Sequence, residues 1–108
     1  MNDGMIIVHT AVESESEAHR LARQLLAENL AGCVNVGSPV LSFYHWEGQE
    51  QETEELPLLI KTIAEKQAEI KNWLRENHPY DCPEIAITTV EDVNSSYLDW
   101  LREQVGCI

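Results

Sequence analysis

A buried strand leading into a capped helix is the feature that most restricts what this chain can become. Residues 5–10, MIIVHT, are apolar and β-branched, the composition of a central strand. Ser14-Glu15-Ser16-Glu17 follows as a capping box, in which serine and glutamate satisfy the first free helical amides. Behind it Ala18, Leu21, Ala22, Leu25, Leu26 and Leu30 recur at helical spacing, and Gly32 supplies the stop. A helix with one apolar face needs a sheet to lie on, so the remaining sequence has to provide more strands.

A second strand is predicted from Cys33 to about Glu47, kinked at Gly37-Ser38-Pro39. After a polar turn at Gly48-Gln49 a third returns through Leu56 to Thr62, completing a long hairpin. Thr62-Ile63-Ala64-Glu65 reads as another capping box, opening a helix that carries Ile63, Ile70, Trp73 and Leu74 and ends at Pro79. Residues 84–91, EIAITTVE, form the fourth strand. Ser95 or Ser96 then opens a short helix bearing Tyr97, Leu98, Leu101 and Val105. The order β-α-β-β-α-β plus a helix is the α+β, ferredoxin-like plan, one domain over residues 1–108 with two helices on one face of an antiparallel sheet. On the hairpin, Val40, Ser42, Tyr44 and Trp46 alternate with Leu41, Phe43 and His45. One set is expected beneath the helices, leaving an aromatic surface of the kind that marks an interface.

Composition narrows the function. Nineteen acids against seven bases give a net charge of −12, which excludes a nucleic-acid binder and an anionic membrane surface as partners. The longest apolar runs are far too short to span a bilayer, and Met1-Asn2-Asp3-Gly4 lacks the basic start of a signal peptide. Cys33, Cys82 and Cys107 are odd in number and without CxxC spacing, so neither a disulfide framework nor a zinc knuckle fits, and a cytoplasmic location is expected. No nucleophile elbow, phosphate loop or HExxH is present, which argues against an enzyme. Glu47, Glu50, Glu52, Glu54 and Glu55 lack the glycine-punctuated spacing of a calcium loop and read as a solvated, self-repelling hairpin tip.

Five segments in order resemble the CutA family of divalent-cation tolerance proteins. They are Leu30-Ala31-Gly32-Cys33-Val34-Asn35-Val36, Ser42-Phe43-Tyr44-His45-Trp46-Glu47-Gly48, Leu59-Ile60-Lys61-Thr62, His78-Pro79-Tyr80-Asp81-Cys82-Pro83-Glu84-Ile85 and Tyr97-Leu98-Asp99-Trp100-Leu101. The resemblance runs from about Ile6 to Glu103. It implies ferredoxin-like subunits in a tight homotrimer, with long hairpins continuing the sheet into neighbouring subunits. It also implies tolerance of copper and other divalent metals, copper binding, and no firmly attached reaction. Two positions depart from the family pattern: Gln49 stands where lysine is common, and Pro57 where an aliphatic is usual. Because proline cannot donate to a ladder, its amide position should face a bulge or an unpaired edge.

The candidate metal ligands are His9 and His78. His9, the one imidazole in an apolar strand, is either a satisfied core histidine or a copper ligand; some family members carry a ligating cysteine there. His78 is either a helix terminator or, as the resemblance implies, part of the family's metal region, here preceded by Asn77 instead of a second histidine. Cys33 reads as a small buried hydrophobe and Cys82 as a reachable loop thiol. Trp46, Lys61, Tyr80 and Glu84, with Cys33, form a third set that the resemblance places at an intersubunit cleft. Lys61 and Glu84 are there either a structural ion pair or, for the lysine flanked by aromatics, a host for a small anionic ligand. The functional expectation is a trimeric copper-binding tolerance protein, with a trimeric small-molecule sensor as the alternative.

Overall fold

The structure, a computed structural model, describes residues 4–106. The Met1–Asp3 start and Cys107, both read above, lie outside that range. In chain order the elements are β1 (Met5–Val12), α1 (Glu15–Ala27), β2 (Cys33–Val36), β3 (Val40–Trp46), β4 (Gln49–Ile63), α2 (Gln67–Asn77) entered through a 3₁₀ turn (Ala64–Lys66), β5 (Ala86–Thr89) and α3 (Ser95–Gln104). The sheet runs β2-β4-β1-β5, all neighbours antiparallel, with β3 paired to the far half of β4. That is the ferredoxin-like plan the order of elements predicted.

Strand alternation divides the sheet into two unlike faces. Ile6, Val8, Val12, Leu56, Leu58 and Ile60 meet Ala18, Leu21 and Leu25 of α1 and Ile70 and Leu74 of α2 in the main core. The opposite face is covered only at one end, where Met5 and Ile63 pack with Leu101 and Val105 of α3. Gly32 is what lets α3 come so close: a Cβ there would stand 2.8 Å from Leu101 Cδ2. The rest of that face stays open, with Leu59 38% exposed.

Local chemistry explains where boundaries moved. Ser14 caps α1 as expected, accepting from the Glu17 amide at 3.2 Å. The helix stops earlier than Gly32, because Asn29 takes the left-handed conformation (φ 57°) and Leu30 N–H reaches back to the Leu25 carbonyl, a Schellman closure. Leu26 falls outside the buried stripe and is exposed. Thr62 does not cap α2. The strand continues through Ile63, and the Thr62 hydroxyl is buried with no hydrogen-bond partner among the described residues. Asn94, and neither Ser95 nor Ser96, takes the N-cap position of α3.

The hairpin brings the largest correction. The expectation that one set of β3 side chains packs beneath the helices fails, since Val40, Leu41, Phe43, Tyr44 and Trp46 are all exposed. Strand β3 pairs only with residues 49–55, beyond the last β1 partner, Val12 opposite Leu56. The hairpin therefore projects as an arm from a body that measures 46 × 27 × 24 Å with it. Its tip turns at Glu47-Gly48, one residue earlier than predicted. Both residues have positive φ (51° and 76°), the type I′ geometry that matches strand twist. Pro57 sits as its chemistry requires. The Gly37 amide donates to the Pro57 carbonyl at 2.8 Å, so the proline nitrogen also points at the Gly37–Pro39 break, where no ladder bond is needed.

Candidate functional site

A cleft of about 450 Å³ opens where the arm leaves the body. The exposed strand β3 contributes Phe43, Tyr44 and Trp46 to one wall, and β4 contributes Glu55. Residues 80–84, the loop between α2 and β5, form the other wall with Tyr80, Asp81, Cys82 and Glu84. Ala11 and Glu13, at the end of β1, make the floor. The lining thus combines four aromatic rings with four carboxylates and no basic side chain.

One chain of contacts fixes the loop against the arm. The Tyr80 hydroxyl donates to Glu55 Oε2 at 2.7 Å. Burial first, and then the Glu55 carboxylate it donates to, push the Tyr80 hydroxyl far above its ordinary range, so it remains a donor at any physiological pH. Its backbone amide donates to His78 Nδ1 at 3.1 Å, and the two rings meet edge-on with centroids 4.8 Å apart. An amide can only donate, so Nδ1 is unprotonated and the hydrogen lies on Nε2. Nε2 faces the Ala11 carbonyl at 3.1 Å and the Thr10 hydroxyl at 2.9 Å. Desolvation is the leading cause holding His78 below the ordinary imidazole pKa; the Ala11 carbonyl and the Glu17 and Glu55 carboxylates oppose it, and Arg20 reinforces it. Arg20 also secures the region from α1, donating to the Asn77 carbonyl at 2.8 Å and to Glu17 at 2.6 Å.

This arrangement changes the reading of the two histidines. His78 is 8% exposed and both ring nitrogens are occupied, which gives it a structural task; a metal would have to displace the Tyr80 amide or the Thr10 and Ala11 bonds. His9 lies on the other, open face of the sheet. Its Nε2 meets Thr88 Oγ1 at 2.9 Å, while Nδ1 has no hydrogen-bond partner among the described residues. Within one chain the two imidazoles are separated by the sheet itself. Among the described residues no group of three or more His, Cys, Asp or Glu converges to hold a metal ion.

The third predicted set is divided. Trp46, Tyr80 and Glu84 share the cleft, but Cys33 and Lys61 do not. Those two face each other across β2 and β4, six positions up β4 from Glu55, or about 20 Å at ordinary strand rise. No Lys61–Glu84 ion pair forms within the chain, because the β1 and β5 registers place them at opposite ends of the sheet. Within one chain the cleft is acidic and Lys61 lies away from it, so the expected grouping of Lys61 with Trp46, Tyr80 and Glu84 belongs to a boundary between subunits. Cys33 is half-buried and lies beside the Tyr97 hydroxyl, whose pKa is raised by burial first and then by the thiol. Cys82 is exposed, as the loop reading required.

Sequence reasoning passed over Glu13, Glu55 and Asp81 as lining residues. Glu55 was grouped with the solvated tip, yet alternation along β4 puts it on the same face as Pro57, Leu59 and Lys61. That signal was available. Asp81 and Glu13 are placed by the loop and by the length of β1, which no local pattern announces.

Comparison with known proteins gives this geometry its context. Residues 6–104 match the family described as CutA1 divalent ion tolerance protein. The divalent-cation tolerance protein CutA of Thermus thermophilus is 40% identical over 100 residues, spanning 93% of this chain and 97% of that protein. The protein of the same name from Pyrococcus horikoshii is 39% identical over 100 residues, with the same shares. The structure of CutA from Synechococcus elongatus superposes with a TM-score of 0.91 at 32% identity, covering 96% of this chain and 92% of that one.

Proposed function

The chain belongs to the CutA1 divalent ion tolerance family, with the role in divalent metal tolerance that goes with it, and on that premise we propose that it acts as a homotrimer holding copper at its subunit boundaries. The carrying observation is the arm: an apolar strand bare on both faces, attached to a half-strand whose other edge has no partner among the described residues. Two subunits meeting there would extend each other's sheets and bury the aromatic surface. The described residues of one chain bring too few ligands together for a metal, and on this reading a neighbouring subunit completes the site. His9 is the imidazole we assign to it, through the unengaged Nδ1, and His78 is left to its structural bonds. Nitrogen and oxygen donors favour Cu(II) over Zn(II) and Ni(II). On this reading the protein binds rather than catalyses and works in the cytoplasm, a location supported by three cysteines without CxxC spacing.

Two measurements test it. Light scattering at micromolar concentration should give three times 12.3 kDa, or about 37 kDa; a value near 12.3 kDa sinks the assembly. Copper titration should show binding lost in His9→Ala and kept in a folded His78→Gln protein. Equal binding by wild type and His9→Ala would remove His9 from the site. The specific observation favouring a second reading, a small-molecule binder, is the cleft, whose volume lies in the usual range for small ligands.

A further inference from the structure

Gly37-Ser38-Pro39 joins the body to the arm, and the strand registers on its two sides do not match. Val36 pairs with Leu58, but Val40 pairs with Glu55. Three residues on the β2–β3 side therefore face two on β4, Leu56 and Pro57, which makes a β-bulge of one extra residue. Each side carries a proline here, Pro39 and Pro57, so two ladder donors are missing as well. Such a junction is loose unless something holds it. The Gly37 amide donates to the Pro57 carbonyl at 2.8 Å. The Pro57 ring lies so close to Gly37 that a Cβ there would stand 2.8 Å from Pro57 Cγ. Proline fixes its own φ, and Pro57 is paired with Ala11 of β1 on its other side, so the bulge is seated on a rigid part of the body.

The angle at this junction is magnified along the arm. Strand β3 has 7 residues; at ordinary rise it is about 23 Å long, so a tilt of about 10° at its root displaces the tip by about 4 Å, close to the spacing between neighbouring strands. An arm that extends a neighbour's sheet has to arrive in register, and that displacement would miss it. We infer that the Gly37–Pro39 bulge, seated on Pro57, aims the arm at a second copy of this chain, with Gly37 and Pro57 as positioning residues for assembly. Leu41, Phe43 and Trp46 on the arm are exposed and await that copy. A stiff root orders them before the neighbour arrives, which lowers the entropic cost of docking. This inference rests on the homotrimer reading and on nothing in the cleft.

The test compares wild type with Gly37→Ala, Pro57→Ala and the double variant, by light scattering across protein concentration and urea, with circular dichroism reporting the fold. Gly37 lies outside the left-handed region, so alanine there meets the Pro57 ring without backbone strain. Gly37→Ala should weaken association at least about tenfold and Pro57→Ala about threefold, while the double variant is no worse than Pro57→Ala, because the obstructing ring is gone. Deleting the exposed Ser38 removes the extra residue and keeps Val40 opposite Glu55; it should leave a folded monomer, and it decides the matter should Gly37→Ala fail to fold. Wild-type association in Gly37→Ala, or a weakening that adds to that of Pro57→Ala, overturns the role of the pair. A Ser38 deletion that assembles like wild type overturns the role of the bulge while the trimer stands. A monomeric wild type removes the trimer and this inference together.

Discussion

From Leu56 to Ile63, β4 pairs with β1, and over Leu58–Lys61 with β2 as well, with helices against one face; from Gln49 to Glu55 it has only β3. Leu58 is fully buried in the first stretch, whereas Phe43, opposite Glu52 in the second, is 64% exposed. One continuous strand therefore serves two purposes. The body half is held by apolar burial, the dominant favourable term in folding. The arm half has almost none, and a two-stranded ribbon alone is marginal in water. It is held by continuity with the body, by the type I′ turn, by the Tyr44–Thr53 hydroxyl contact at 2.9 Å and by the Tyr80–Glu55 bond. The lesson is that an arm can be well ordered without contributing to the core, leaving its apolar side chains for another purpose.

Substitutions along this divide should rank accordingly. Leu58→Ala removes a fully buried side chain between both helices and should cost about 2–5 kcal/mol in denaturant unfolding with an unchanged slope. A cost below about 1 kcal/mol would mean that the body is packed much more loosely than described. His78→Gln, at the hinge between the halves, should cost roughly 1–3 kcal/mol by leaving the Tyr80 amide or the Thr10 hydroxyl unsatisfied. The same residue gives a pH signature. The folded state keeps His78 neutral and its pKa low, so the unfolded chain binds the extra proton first. This contribution is whole above the ordinary imidazole value of about 6.5 and is lost as pH falls below it. Wild type should lose stability there more steeply than His78→Gln; parallel curves would refute the assignment.

Smaller effects belong to the arm. Glu47→Asn relieves a left-handed position that asparagine adopts more readily, and should stabilise the tip by roughly 0.5–1 kcal/mol. Amide hydrogen exchange across residues 44–51 reads that change, whereas global melting does not. Phe43→Ser should alter the chain's own stability by no more than about 0.5 kcal/mol. Its effect should show in association instead, as a melting temperature that depends more steeply on protein concentration. If it unfolds the body, the division between the halves is wrong.

How much was legible follows the same line. The strand-helix-strand order, the Ser14 cap and the alternating core of β1 are local patterns with one physical meaning each, and all were readable. Thr62-Ile63-Ala64-Glu65 carried the letters of a capping box, but buried Ile63 belongs to the sheet, and tertiary packing overrode the local signal. The arm was misjudged because alternation reveals two faces without revealing whether anything covers them. Lys61 and Glu84 are expected together at a boundary between subunits; within one chain, strand register, which no single residue encodes, keeps them apart. The cleft was half visible, through Trp46, Tyr80 and Glu84, and its acidic character emerged only when β1, β4 and the loop were brought together.

The type I′ arm also sets the terms on which copies of this protein can avoid one another. A flat ribbon with unpaired backbone along its sides is a template onto which further ribbons can stack without end. Glu50, Glu52 and Glu54 occupy every second position on one face, so an in-register neighbour would bring like carboxylates within about 5 Å, the spacing between strands. Like charge at that spacing opposes such stacking. That opposition is purely coulombic, and it is suspended by acid, by concentrated salt or by a divalent ion that bridges two carboxylates. A protein concerned with divalent cations thus carries an arm whose colloidal behaviour depends on the ions around it, which turbidity measured against added calcium at fixed ionic strength would reveal.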